Sequence, residues 1–190
     1  MSLSKCCSFF AVLAMTVICT SGLVVFNTPE RAAALDQLDQ NTQIDLTRHS
    51  DTAAVHLYFS DKENSYLTAE GQNLARSNNP AEFGQTIIEA LIQGPREGLM
   101  RTIPAGTILR ALYVTSDGIA YVDLTLTLKD AHPGGIQTEL MTIYSIVNSL
   151  ILNISGINAV KILINGRESM TLAGHVDLRF PFKANMLLIR

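Results

Sequence analysis

The stretch from Asp130 to Leu140, DAHPGGIQTEL, sets His132 ahead of a Pro-Gly-Gly turn and the start of an apolar helical pattern. A histidine beside glycines at a helix start suits metal binding or general-base chemistry, and the free backbone N–H groups suit an anion. A second histidine, His175, stands two residues before Asp177, and on an extended segment both side chains leave the same face. Such a pair orients a base, and His132, His175 and Asp177 together would make a metal-ligand set if the fold brought them together. No spacing in the chain requires that meeting. Gly134 and Gly135 lack the Gly-x-Gly-x-x-Gly pattern of a dinucleotide site, and no Lys-Ser/Thr pair follows as in a P-loop. They read better as a sharp turn into the helix than as an anion cradle.

Nucleophilic catalysis needs a placed Ser or Thr. No Gly-x-Ser-x-Gly elbow occurs, and Ser145 falls inside the second helical pattern, beside its apolar stripe. Glu139 and Asp130 would act as the paired carboxylates of a hydrolase only across a cleft, of which the sequence gives no sign. No catalytic residue, cofactor or bound metal is expected. His132, Gly134, Gly135, His175 and Asp177 are kept as one motif, either ligand-binding or structural, and polar side chains fixing loops is the preferred reading.

The elements that must hold these residues read β-α-β-β-α-β. Val55, Leu57 and Phe59 alternate with His56 and Tyr58, as in a half-buried strand. Residues 61–79 are polar and loop-like. Asn79, Pro80 and Glu82 form a helix start, Phe83, Ile87 and Leu91 repeat every four residues, and Gly94-Pro95 stops the helix. Residues 107–128 form a hairpin around Asp117-Gly118, a pair suited to a type I′ turn. Ala120, Val122, Leu124 and Leu126 face inward there, and Asp123 faces solvent. The second helix runs from Ile136 to about Leu152, with Ile136, Leu140, Ile143, Val147 and Leu150 as its stripe, widened by Met141, Tyr144 and Ile151. Residues 159–164 form a further strand, Asn165-Gly166 a second hairpin signal leading into residues 169–174, and the tail around Pro181 closes on a sheet edge. The expected class is α+β: two helices packed on one face of a mostly antiparallel sheet.

Composition narrows the function classes. From Ala54 onward the chain has 11 Lys/Arg against 12 Asp/Glu, so no basic stripe exists to bind a phosphate backbone and no nucleic-acid partner is expected. Cys6, Cys7 and Cys19 all lie near the N-terminus. The remainder therefore holds no disulfide, thiolate metal site or cysteine nucleophile. Between Lys5 and Arg31, residues 6–28 form an uncharged run of 23 residues, enough to cross a hydrocarbon core roughly 30 Å thick. Residues 1–28 are expected to be an uncleaved signal-anchor, with a cleaved signal peptide as the alternative. Residues 29–53 read as a flexible linker and 54–190 as the folded domain.

The stretches VHLYFSD, YLTAE, PAEFGQTIIEALIQGP, IPAGTIL, DGIAYVDL, HPGG, ELMTIYSIVNSL, VKILING and LAGHVDL, in this order, cover about Ala54 to Pro181. This ordered set resembles the germane (GerMN) domain family of sporulation and germination proteins, which also occurs singly in other bacterial envelope proteins. The resemblance implies an exported, membrane-tethered, non-enzymatic domain whose fold is similar to ring-building modules, and it carries over no catalytic residues. This chain has one copy where the family's sporulation protein has two, and it lacks a lipobox. The implied partners are envelope proteins or further copies of the chain, with the membrane engaged through the N-terminal segment. The implied location is the bacterial cytoplasmic membrane, single-pass, with the domain on the extracytoplasmic side. A domain binding a cell-wall fragment or small ligand is the alternative.

Overall fold

The alternation of Val55, Leu57 and Phe59 makes strand β1, Thr52–Ser60, with these three side chains buried and His56 exposed. The computed structural model describes residues 51–190. The segment read as anchor or signal, 1–28, and the linker as far as residue 50 lie outside the described residues. Thr52 and Ala53, read as linker, already belong to β1.

Residues 61–79, read as a loop, contain a second strand. β2, Leu67–Ala75, pairs antiparallel with β1 across the register Leu57↔Glu70 and Val55↔Gln72. Alternation fails as a signal here because polar side chains occupy the buried positions. Glu70 is buried and accepts the backbone N–H groups of Arg96 (2.9 Å) and Glu97 (3.1 Å). Gln72 donates to it at 2.7 Å. A buried carboxylate with three donors is satisfied and costs little to keep.

Helix α1, Pro80–Gln93, begins as expected: Asn79 Oδ1 accepts the N–H of Ala81 at 2.9 Å. Glu82 accepts the Ser77 hydroxyl (2.7 Å), and that same hydroxyl oxygen takes the Asn79 N–H (3.1 Å). Phe83, Ile87 and Leu91 are all buried, and Gly94 ends the helix by donating to Leu91 O at 3.0 Å.

β3, Leu109–Val114, and β4, Ile119–Leu124, form the predicted hairpin. Its turn differs from type I′. Asp117 does not have positive φ; Gly118 does, at 81°. Gly118 donates to Thr115 O (3.0 Å) and Thr115 donates to Ile119 O (3.0 Å), as in a three-residue loop closed by a glycine bulge. The strand pattern read through Leu128 stops at Leu124, where the chain folds into a short helix, α2, Thr127–Asp130, with Leu128 buried.

Helix α3, Ile136–Ile151, buries Ile143, Val147 and Leu150 from the predicted stripe, and Met141 beside them. Ile136 is 59 % exposed, because the first residue of the helix precedes the turns that meet the core. α3 carries the chain from β4 to β5, Ala159–Ile164, which pairs parallel to β4. A strand-helix-strand crossover of this kind permits parallel pairing.

Asn165 and Gly166, with φ of 51° and 74°, make a two-residue turn, closed by the reciprocal bonds of Ile164 and Arg167. No ladder follows the turn, so the expected strand over 169–174 is absent. The tail returns to β5 through the Val160↔Phe182 bridge, and a 3-10 turn, Met186–Leu188, leads Ile189 to Leu67.

The chain is thus α+β with mostly antiparallel pairing, as expected, but the strands form two sheets, β1-β2 and β3-β4-β5, and not one. The main core joins Val55, Leu57 and Phe59 to α1, α3 and the inner faces of β3, β4 and β5, and a smaller cluster gathers Tyr58, Leu67 and Met141. Among the described residues no helix is long and apolar enough to cross a membrane.

Candidate functional site

α3 holds the polar groups that decide what the His-Gly-Gly motif does. Along a largely apolar helix, Glu139, Thr142, Ser145 and Asn148 recur every three residues, and all four are fully buried. Ser149 is also fully buried. Asn153 extends the row past the helix end, four residues beyond Ser149. Among the described residues no buried side-chain polar atom lacks a hydrogen-bond partner.

At the N-terminal end of the stripe, His132 reaches back to α3. Thr142 Oγ1 donates its proton to Thr102 O at 2.6 Å. It therefore accepts from His132 Nε2, 3.0 Å away. His132 Nδ1 is left unprotonated and accepts the Gly134 N–H at 3.0 Å. These bonds fix a neutral imidazole in one tautomer with both nitrogens engaged. Gly134 and Gly135, at φ of 80° and 87°, turn the chain from His132 into α3, and Gly135 occupies the cap position. Side chains rarely adopt those angles. The motif is a clasp for the start of the helix.

One turn on, the Glu139 carboxylate receives the N–H groups of His175 (3.0 Å) and Val176 (3.0 Å) and, at 2.6 Å, His175 Nδ1. The loop around His175 hangs from this side chain. Asp177 makes no hydrogen bond or ion pair with either histidine among the described residues. It takes the Arg179 N–H at 2.9 Å and the Arg179 guanidinium at 2.8–3.2 Å. The conceivable ligand set of His132, His175 and Asp177, which no spacing required, is not assembled: the histidines lie on either side of Glu139, and Asp177 pairs with Arg179. Among the described residues no three His, Cys, Asp or Glu lie where they could hold a metal ion. Asp130 is not joined to Glu139 by any bond among the described residues.

The middle of the stripe covers the free edge of β1. Ser149 Oγ accepts the Tyr58 N–H (3.0 Å), Ser145 Oγ donates to Tyr58 O (2.5 Å), and Asn153 takes the His56 N–H (2.9 Å) and donates to His56 O (2.8 Å). Helix side chains thus stand in for a neighbouring strand. Asn148 binds the backbone of Asn185 in both directions, at 3.0 and 3.1 Å. A second correction concerns Asp123. Expected on the solvent face, it is 6 % exposed and accepts the Gly166 N–H at 2.6 Å. Glu139, Thr142, Ser149, Asn148 and Asp123 were not among the expected site residues. The period-three polar row on an apolar helix was the available signal for three of them, Glu139, Thr142 and Asn148.

The charges follow the geometry. Burial pushes the His132 pKa below its usual 6.5, against the opposing pull of the Glu139 charge. For Glu139, burial raises the pKa, but the donors from Val176 and His175 outweigh it and the net shift is downward from 4.5. The Arg179 guanidinium and N–H hold Asp177 down at about 2. Both buried-site shifts destabilise the fold in acid, by linkage. For His132, the unfolded chain protonates first, so stability is full above pH 6.5 and declines as pH falls below it toward the lower folded pKa. For Glu139, stability is present above pH 4.5 and is lost as pH falls through the folded value. Urea denaturation from pH 8 to pH 4 should therefore show an initial decline below pH 6.5 that is absent in H132Q. A flat wild-type profile between pH 7 and 5 would refute the neutral assignment of His132.

Residues 56–169 match the Germane family, described as sporulation and spore germination. No curated protein matches the chain. Two solved structures are similar in fold. The tandem GerMN domains of the sporulation protein GerM from Bacillus subtilis share 24% identity over 70% of this chain, with a TM-score of 0.57. This chain spans 46% of that one. The first GerMN domain of the same protein shares 23% identity over 72% of this chain and 99% of its own, with a TM-score of 0.56.

Proposed function

Because the chain belongs to the Germane family, we propose that its folded part is a non-enzymatic interaction domain, tethered to the cytoplasmic membrane by residues 1–28 and facing the extracytoplasmic side. It contributes there to an envelope protein assembly of the sporulation type. One observation supports the non-enzymatic reading: two of the groups best suited to chemistry, His132 and Glu139, are turned inward. His132 has both ring nitrogens engaged, and Glu139 is fully buried under backbone donors. An acid–base catalyst must present its proton-carrying atom to a substrate. The 23-residue uncharged run supports the tether, and the fold shared with the GerM domains supports the assembly role.

The test uses the full-length chain in cells. A C-terminal alkaline phosphatase fusion should be active, and cross-linking should join the chain to envelope proteins or to copies of itself. An inactive fusion would overturn the location. A chain that stays monomeric and cross-links to no envelope protein would overturn the assembly role.

A further inference from the structure

Two arginines from different elements open onto one cavity, and the structure assigns this cavity as a binding site for an oxyanion, a carboxylate or phosphate group carried on a small molecule. The cavity has a volume of 520 Å³ and is lined by Arg110, Leu126, Ile164, Asn165 and Arg167. It lies where β4 and β5 end, away from the His132–Glu139 clasp.

The backbone fixes where both guanidiniums start. Arg110 sits at the register shift between Leu109 and Ala111, the bulge of β3. Bulges redirect side chains out of the ladder. Arg167 follows the Asn165-Gly166 turn, whose ends are closed by reciprocal bonds with Ile164 at 2.9 and 3.1 Å. Asp123 braces the turn from beneath: its Oδ1 takes the Gly166 N–H at 2.6 Å.

Both guanidiniums keep donors to offer. Asp123 Oδ2 lies 3.7 Å from Arg110 Nη1, an ion pair too long for a hydrogen bond. The Arg110 side chain is 44% exposed. Arg167 is exposed and makes no side-chain hydrogen bond or ion pair among the described residues. Asn165 Oδ1 accepts the Leu126 N–H at 3.2 Å, so its amide nitrogen points its protons elsewhere. Two cations therefore line the cavity, while Asp123 pairs with Arg110 alone and is already engaged by Gly166. A bound oxyanion completes the charge balance and takes the fork-shaped donors of both arginines. Leu126, 42% exposed, and Ile164 supply an apolar wall for a short aliphatic part.

The experiment follows backbone and arginine side-chain N–H resonances of the ¹⁵N-labelled full-length chain. Inorganic phosphate, hexanoate and acetate are titrated separately at constant ionic strength set by sodium chloride. Saturating shifts are expected at the Gly166 amide and the Nε–H groups of Arg110 and Arg167, with weak affinity on the order of millimolar. Hexanoate binding above acetate identifies a carboxylate with an aliphatic tail, and phosphate binding above both identifies a phosphate group; either result supports the site. R167Q alters an exposed side chain, so it should leave the melting temperature unchanged and weaken binding about tenfold, the worth of one charge-assisted contact. Shifts that do not saturate, that chloride reproduces, or that R167Q leaves intact would overturn the assignment.

Discussion

Glu139→Ala is expected to lower the unfolding free energy by about 3–5 kcal/mol, a large share of what a domain of this size holds. The carboxylate is fully buried and receives two backbone N–H groups and one imidazole N–H. Removing it leaves the two backbone donors without a partner, at about 1–3 kcal/mol each, and adds a cavity beside α3. His175→Ala is the contrast. The His175 side chain is 48% exposed, and removing it leaves the carboxylate two strong donors, so a cost of about 1 kcal/mol or less is expected. Urea midpoints for the two variants, with hydrogen exchange at the Val176 amide, read the difference. Equal midpoints for the two variants would show that the imidazole, and not the backbone pair, holds the loop.

The elements that followed a clean hydrophobic period were legible in the sequence. Phe83, Ile87 and Leu91 lie on the buried face of α1, and Val55, Leu57 and Phe59 on that of β1, as their spacing demands. What escaped was placed by polar contacts at long sequence separation. β2 was hidden because Glu70 and Gln72 fill core-facing positions, and only the backbone N–H groups of Arg96 and Glu97 make that tolerable. Asp123 was assigned to solvent by the alternation of β4, yet the Asn165-Gly166 turn, more than forty residues on, folds over it. Parallel pairing of β4 and β5 is likewise invisible to periodicity, since it depends on how α3 returns the chain. The glycines beside His132 turn the chain into α3, as their residue type allows. The place of Glu139 was not legible: it was weighed against Asp130 as a hydrolase pair, while its donors lie 36 and 37 residues away. Residue types in that motif suggested chemistry, and only the placement of each N–H showed that the groups face one another.

Ser145→Ala combined with Ser149→Ala is expected to cost about 3–6 kcal/mol and to make the protein self-associate. Both hydroxyls are fully buried, and between them they satisfy the N–H and the C=O of Tyr58 in the middle of β1. Ser145 also accepts the Thr102 hydroxyl at 2.7 Å. The double variant leaves three buried polar groups without partners, at about 1–3 kcal/mol each. The two losses share Tyr58, so they couple and need not add. The second consequence follows from what the edge becomes. A strand edge with unpaired N–H and C=O groups is a template for another strand. β1 pairs with β2 on one side; on the other, the stripe on α3 with Asn153 closes the edge at His56 and Tyr58, and a bridge to Met100 closes it at Ser60. When the serines are gone, α3 no longer bonds the edge at Tyr58, and an opened β1 can recruit β1 of a second copy. Light scattering during partial denaturation in urea should therefore rise for the double variant at concentrations where the wild type stays clear. Ser149→Thr keeps a hydroxyl at the Tyr58 N–H and should show neither effect beyond a small overpacking cost. If the double variant lost stability without aggregating, the helix would matter for packing alone, and the closed edge would have no protective role.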